Sequence, residues 1–351
     1  MKSTTLDPAV RRKVADQPDG GLPLVSVAML TYNHERYIGQ AIESVLSQEA
    51  DFRLELIVGE DCSTDDTRRI VREYAEKYPN VIRPLLAGHN LGMQKNCSRV
   101  LAACRGKYVA LLEGDDYWVL PDKLQKQVRI LEANPHYSMC GGATQIVRSC
   151  HQGGERVVGV IRPRRHKDCY GLEDVLLDRP MHLSTVLYRS GFVETPAWLN
   201  QVINRDFCKF ALLAEKGPAA HLNMIVSRYR MDSGGVWSCR SVSDQVRCKM
   251  EALDLLDAHF QRKYSFVIAK TRVVNVMEAC ASLMTKGSWA ETRDIFRYYG
   301  KSVFRAMSFP VKLWTVGALI CKLWCKSIQM VAYRLGIKKR SRFDRMAIQH
   351  V

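Results

Sequence analysis

Residues 107–118 read KYVALLEGDDYW, and this stretch decides the fold. Tyr108 to Leu112 are aromatic, β-branched and aliphatic with no charge, as a strand buried on both faces of a parallel sheet requires. Polarity then reverses within one residue: Glu113, Asp115 and Asp116 place three carboxylates in four positions where that strand ends. Open α/β sheets bind ligands at the carboxyl ends of their strands. Carboxylates this crowded raise one another's pKa unless a cation or a hydrogen-bond network lies among them. A divalent ion is the simplest remedy. Hard oxygen ligands select Mg²⁺ or Mn²⁺, and Mg²⁺ typically takes one or two carboxylates plus substrate phosphate oxygens. A solvated acidic junction between strand and loop has the same signature, so the flanking sequence must decide between them.

Upstream, residues 24–30 (LVSVAML), 54–58 (LELIV) and 81–86 form three more strand patterns. The first ends at Thr31-Tyr32-Asn33 and leads into a helix bearing Ile38, Ile42, Val45 and Leu46 at helical spacing. The second ends at Glu60-Asp61, where Ser63 and Thr64 are candidate caps for a helix with the stripe Ile70, Val71, Tyr74 and Ala75. The third runs to His89-Asn90-Leu91-Gly92 and a helix through Cys104. Three β-loop-α units with polar strand ends predict a parallel sheet with one ligand crevice. No G-x-G-x-x-G occupies the first turn, which argues against a dinucleotide-binding Rossmann domain. Tyr117 and Trp118 read as the start of a turn before Pro121, which can open a helix over 122–133.

The ordered series 25–48, LELIVGEDCSTDDT (54–67), NLGMQKN (90–96) and VALLEGDDYWVLPDKLQKQV (109–128) closely resembles the family 2 glycosyltransferases. A thinner match continues through MHLSTVLYRS (181–190), NRDFCKFALLAEKG (204–217) and YRMDSGGVWS (229–238). The resemblance implies the GT-A fold, an α/β architecture with a Rossmann-like, mostly parallel sheet flanked by helices. It also implies inverting transfer of a sugar from a nucleotide-sugar. Residues 1–22, polar with Pro8, Pro18 and Gly20-Gly21, read as a flexible leader, and the resemblance implies a catalytic domain (23–238) with a nucleotide-sugar half (23–135) and an acceptor half (136–238). A helical, basic extension (239–351) follows.

By the same resemblance, Thr31, Tyr32 and Asn33 border the donor, with Tyr32 packed on the base, a contact suited to an aromatic face. Asp61 accepts from the imide N–H of uracil, which favours a uridine nucleotide. Asn90, Gly92 and Asn96 line the nucleotide-sugar. Glu113-Gly114-Asp115 stands where the family usually has Asp-x-Asp, so its first acid is one methylene longer. Asp115 is then the principal metal ligand, with Glu113 or Asp116 holding the ribose or a metal-bound water and Asp116 also a candidate ligand of the ion. Asp206 resembles the acid that takes the proton from the attacking hydroxyl, although Asn204-Arg205 departs from the usual pattern before it. Asp232 stands where relatives often carry a metal- or diphosphate-binding histidine, and aspartate is also a hard ligand. A cap, turn or helix-start role is open to Asp61, Asn90, Asp206 and Asp232 alike.

Composition narrows the partners. Of the net charge of +16, ten charges fall after residue 300, where eleven Lys or Arg face one Asp. The excess belongs to a tail rather than to a basic stripe across the site, so nucleic acid is not expected as a partner. Twelve cysteines include no C-x-x-C pair, and several sit in apolar periodic segments as small core hydrophobes. No signal-peptide run or membrane-spanning window is evident, which predicts a cytoplasmic chain. Within 311–335, Lys312, Lys322, Lys326 and Arg334 fall inside a 120° arc of an ideal helix. With Trp314 and Trp324, that arc predicts an amphipathic helix lying on the inner face of the cell membrane, near a lipid-linked or polysaccharide acceptor. Gly114-Asp115-Asp116 also matches the G-D-D of some nucleotide polymerases, but the β-α repeats before it do not suit one.

Overall fold

The computed structural model describes residues 23–150, 154–192, 196–231, 237 and 239–305. The 1–22 leader, Asp232 and the 311–335 helix lie outside these residues. Contacts divide the chain into one unit of residues up to 201 together with 209–232, and a second of 202–208 together with the residues from 233 on.

In the first unit, β1 (Val25–Thr31), β2 (Leu54–Glu60), β3 (Ile82–Leu86) and β4 (Tyr108–Glu113) form a parallel block in the order β3-β2-β1-β4. Every residue of β2 is buried, as expected of a central strand covered on both faces. Register brings Leu30 opposite Glu113 and Thr31 opposite Glu60, so the polar strand ends fall level on one edge. Helices α1 (Ile38–Leu46), α2 (Thr67–Lys77), α3 (Met93–Ala103) and α4 (Lys123–Ala133) follow the strands. Ile38, Ile42, Val45 and Leu46 make the buried stripe of α1, and each such side chain contributes roughly 1.5–3 kcal/mol on burial.

Two local expectations are corrected. The N-cap of α2 is Asp66, not Ser63 or Thr64, whose polar groups turn toward the neighbouring loop instead. Tyr117–Trp118 is a two-residue strand, β5, and not the start of a turn. Trp118 is drawn into the sheet because its indole N–H finds the buried carbonyl of Ser184 at 2.7 Å.

The rest of the sheet is mixed. Strands β6 (Met139–Ser149), β7 (Glu155–Ile161), β8 (Leu187–Arg189) and β9 (Ala219–Arg230) extend the order to β4-β8-β6-β9-β5, with β7 paired on β6. Only β6 and β9 run parallel here; β8, β7 and β5 pair antiparallel with their neighbours. α5 (Leu172–Asp178) precedes β8, and α6 (Arg205–Lys216) precedes β9.

In the second unit, α7 (Val242–His259), α8 (Ser265–Thr285) and α9 (Trp289–Arg305) pack in sequence. Ser241 caps α7 by accepting from the Asp244 N–H. Met250, Leu253 and Leu256 of α7 and Phe260 at its C-cap are all buried. The ten described cysteines are free, and no described helix is long and apolar enough to cross a membrane.

Candidate active site

The level strand ends bring two loops together, one after β1 and one after β2. Asn33 takes a left-handed backbone (φ 55°), tolerable for asparagine. Its side-chain oxygen accepts from the Thr64 N–H at 2.8 Å, and its own N–H donates to the Ser63 hydroxyl at 3.0 Å. His34 N–H donates to Thr67 Oγ1, Glu35 N–H to Asp65, and Asp66 N–H back to Glu35. These bonds between side chain and backbone pin the two loops in one arrangement. Tyr32 stands out of it, 41% exposed.

Asp61 is buried, and its two carboxylate oxygens accept from the N–H groups of Leu91 (2.8 Å) and Gly92 (2.9 Å). It therefore orders the loop carrying Asn90, whose side chain also accepts from Gly92 N–H. Gly92 has φ +80°, where an L side chain is strained. Asn96 is buried at the sheet: its amide donates to the carbonyl of Gly59 at 2.8 Å and accepts from Arg99. Its visible work is to dock α3 on β2.

The acidic turn lies at the end of β4. Gly114 N–H donates to the Leu30 carbonyl at 2.8 Å. A Cβ at Gly114 would come within 2.8 Å of Thr31 Oγ1 and 3.0 Å of His34 Nδ1, so only glycine lets the turn sit against the β1 loop. Asp116 is fully buried. One of its oxygens accepts from the Arg230 N–H at 3.0 Å; the other, Oδ2, has no partner. Asp115 Oδ1 is likewise buried without a partner, while its Oδ2 lies 3.9 Å from His34 Nε2. Burial first, then the charges of Asp115 and Glu113, hold the Asp116 carboxyl well above the usual carboxylate range.

Several neighbours of this turn escaped the reading of residue types. His34 lies beside Asp115, and Arg230 sits beneath the turn. Tyr229 is pushed up by burial and by the three acids, and its ring lies 4.5 Å from that of His182. Burial lowers the His182 imidazole to about 4. His34 directly follows the quoted Thr-Tyr-Asn, and Arg230 directly follows Tyr229, but single basic residues in those places carry no motif.

Residues 26–167 match Glycosyl transferase family 2. That segment spans the β1 loop, Asp61 and the acidic turn. Residues 26–167 belong to glycosyl transferase family 2.

Around the family 2 domain, an uncharacterized protein of Mycobacterium tuberculosis is 33% identical over 215 residues, 61% of this chain and 60% of that protein. The putative glycosyltransferase EpsE of Bacillus subtilis is 36% identical over 136 residues (39% of this chain, 48% of EpsE). The putative teichuronic acid biosynthesis glycosyltransferase TuaG of the same organism is 38% identical over 120 residues (34% and 46%). The chain thus spans between about half and three fifths of the length of these relatives. The mannosyltransferase PcManGT from Pyrobaculum calidifontis, solved with GDP-Man and Mn²⁺, is similar in structure with a TM-score of 0.50 and 19% identity. That match covers 90% of this chain and 91% of PcManGT. The fold is GT-A.

Two acids assigned by resemblance fall outside residues 26–167 in the sequence. Asp206 is exposed in the first turn of α6, among the residues that group with the second unit. Asp232 lies outside the described residues. Among those residues no group of three or more His, Cys, Asp or Glu side chains is arranged to hold an ion. The two orphaned, buried oxygens of Asp115 and Asp116 nevertheless fit an ion that takes one or two carboxylates and completes its shell with phosphate oxygens.

Proposed function

We propose that this chain is an inverting, metal-dependent glycosyltransferase that moves a sugar from a nucleotide-sugar, of the uridine type, to a hydroxyl of a lipid-linked or polysaccharide acceptor in envelope glycan synthesis. The observation that carries it is the pair of buried, partnerless carboxylate oxygens on the family 2 acidic turn, level with the loop that bears Tyr32. The names of EpsE and TuaG favour glycan transfer, and the GDP-Man and Mn²⁺ of PcManGT favour a nucleotide-sugar donor with Mn²⁺ or Mg²⁺.

In this reading Tyr32 stacks on the base. Asp61, each of whose oxygens keeps a second lone pair, accepts from the base imide while fixing the Asn90–Gly92 loop. Thr31 and Asn33 set the loop around the donor, and Asn96 holds α3 behind it. Asp115 and Asp116, with Asp232, would hold the ion, and Glu113 the ribose or a water. When bound, that ion neutralises charge on the departing nucleoside diphosphate. Asp206 takes the proton of the attacking hydroxyl as it displaces the diphosphate in line. The 311–335 segment, with the flanking Lys338, Lys339 and Arg340, keeps the enzyme at the cytoplasmic membrane face, and nucleic acid is no partner.

The test is release of free nucleoside diphosphate from a panel of UDP-sugars and GDP-mannose with Mn²⁺, for wild type and Asp115→Asn. Turnover should need the metal and fall by about 10²–10³-fold in the variant, the scale for losing one electrostatic stabiliser of the transition state. Proton NMR of the product should show an anomer opposite to that of the donor. No metal-dependent release from any donor would overturn the reading and leave a glycan- or partner-binding module.

A further inference from the structure

Arg230 closes β9 with a buried guanidinium that reaches four segments of the first unit. Its Nε donates to Glu155 at 2.7 Å, one Nη to the main-chain carbonyl of Asp115 and the other to the side chain of Gln40. Its Cζ lies over two rings, 4.8 Å from the Tyr37 centroid and 4.5 Å from that of Tyr117. Its own N–H donates to Asp116 Oδ1. Two features of this arrangement bear on function. First, the guanidinium neutralises Glu155 and grips the backbone of the acidic turn, but makes no ion pair with the carboxylate of Asp115 or Asp116. Second, the oxygens left over, Asp115 Oδ1 and Asp116 Oδ2, are both buried and partnerless. An arginine placed only to compensate the acids would bond to those oxygens. This one fixes where they are and leaves them to something else.

We propose that Arg230 is a positioning residue that presets the Asp115–Asp116 turn for a divalent cation, through the geometry of its contacts with the turn. The inference rests on the metal-dependent reading above. A planar fork that meets two rings and three acceptors at once cannot be reproduced by a lysine ammonium, whose three donors sit on a flexible stem. Without the fork the turn samples other conformations, and cation affinity falls by the fraction of time it is misplaced.

The experiment titrates Mn²⁺ with the full chain in the presence of UDP, reading free Mn²⁺ by electron paramagnetic resonance. It compares wild type, Arg230→Gln, Arg230→Lys and Leu131→Ala, a buried α4 change remote from the turn that serves as a match for lost stability. Kd for Mn²⁺ should rise at least tenfold in Arg230→Gln and about fivefold in Arg230→Lys, and stay within twofold in Leu131→Ala. In turnover, the Mn²⁺ concentration for half-maximal rate should rise with Kd while kcat at saturating Mn²⁺ stays within about threefold. A merely structural defect lowers the active fraction and not the affinity. Should Arg230→Gln not fold, Gln40→Leu removes one anchor at an exposed position; a threefold rise supports the proposal, and none overturns it. Wild-type affinity in Arg230→Gln, or equal weakening in Leu131→Ala, overturns the inference alone. No Mn²⁺ binding by wild type overturns the parent reading and this inference with it.

Discussion

Glu55 and Asp116 are carboxylates buried in the same sheet, and their surroundings drive them in opposite directions. Glu55, near the start of β2, accepts from Ser26 Oγ at 2.6 Å, from Arg105 N–H at 2.8 Å and from the Arg105 guanidinium at 2.8 Å. Burial raises its pKa, yet these hydrogen bonds and the Arg105 charge hold the carboxyl below its ordinary value. Asp116, just past the end of β4, has a single main-chain donor and two acidic neighbours, and is held well above. At the amino-terminal edge the fold satisfies its acid internally; at the carboxyl-terminal edge it leaves one unsatisfied. Perturbed, under-compensated acids mark functional sites, because stability alone gives no reason to keep them.

The largest effect expected from this contrast is at Glu55. Glu55→Gln removes the charge but keeps the shape, leaving Arg105 without its ion pair. Breaking a buried pair costs 3–5 kcal/mol, and because Arg105 is half-exposed the expected loss is about 2 kcal/mol in urea unfolding. The folded-state pKa is depressed, so this stabilisation is present above the unfolded value of 4.5 and disappears as pH falls below it. Wild type should therefore lose its advantage over the variant under acid. A constant difference from pH 7 down to pH 3 would break the comparison.

Lys123 carries the same logic to a base. It is fully buried against the Trp118 ring (4.1 Å), bonded to Gln127 at 2.8 Å, and burial lowers its pKa to about 7. The unfolded chain binds the extra proton between about pH 7 and 10.5, so the cost of burying the ammonium is full below pH 7 and fades as pH rises through that window. Lys123→Met should stabilise by about 1–2 kcal/mol at pH 6, a gain that shrinks toward pH 10. A destabilised variant at pH 6 would show that the cation–ring contact outweighs desolvation.

How much of this could be read beforehand follows from the range of the interactions. The apolar runs of β1, β2 and β4 announce themselves because burial on both faces demands a local composition, and the abrupt change to polar residues at their ends marks one edge of the sheet. Trp118 was misread because its partner, the Ser184 carbonyl, lies 66 residues away and only folding brings it near. Ser63 and Thr64 look like helix caps but answer Asn33, thirty residues back. Glu55 and Asp116 are both carboxylates in the sequence; what separates them is that the Arg105 guanidinium bonds directly to Glu55, whereas Asp116 takes only a main-chain hydrogen bond from Arg230 and has Asp115 and Glu113 beside it. Antiparallel β5, β7 and β8 carry mixed, short patterns, and their pairing is settled only by the folded sheet.

The smallest and most diagnostic change is Asp116→Asn. An asparagine keeps an oxygen to accept the Arg230 N–H and removes the charge that burial, Asp115 and Glu113 penalise. A carboxyl whose folded pKa is raised stabilises fully only below its unfolded value, near 3.8, and that contribution is lost as pH rises through the folded pKa. The variant should thus match wild type in acid and exceed it by about 1 kcal/mol at pH 8 without metal, which differential scanning calorimetry would read as a Tm higher by roughly 2–4 °C. Mn²⁺ with UDP should reverse the order, since a ligand that binds only the folded state raises the Tm of the protein able to hold it. Glu55→Gln should show no such reversal. An Asp116→Asn protein less stable than wild type in metal-free buffer at pH 8 would mean that Asp116, like Glu55, is an acid the fold itself requires.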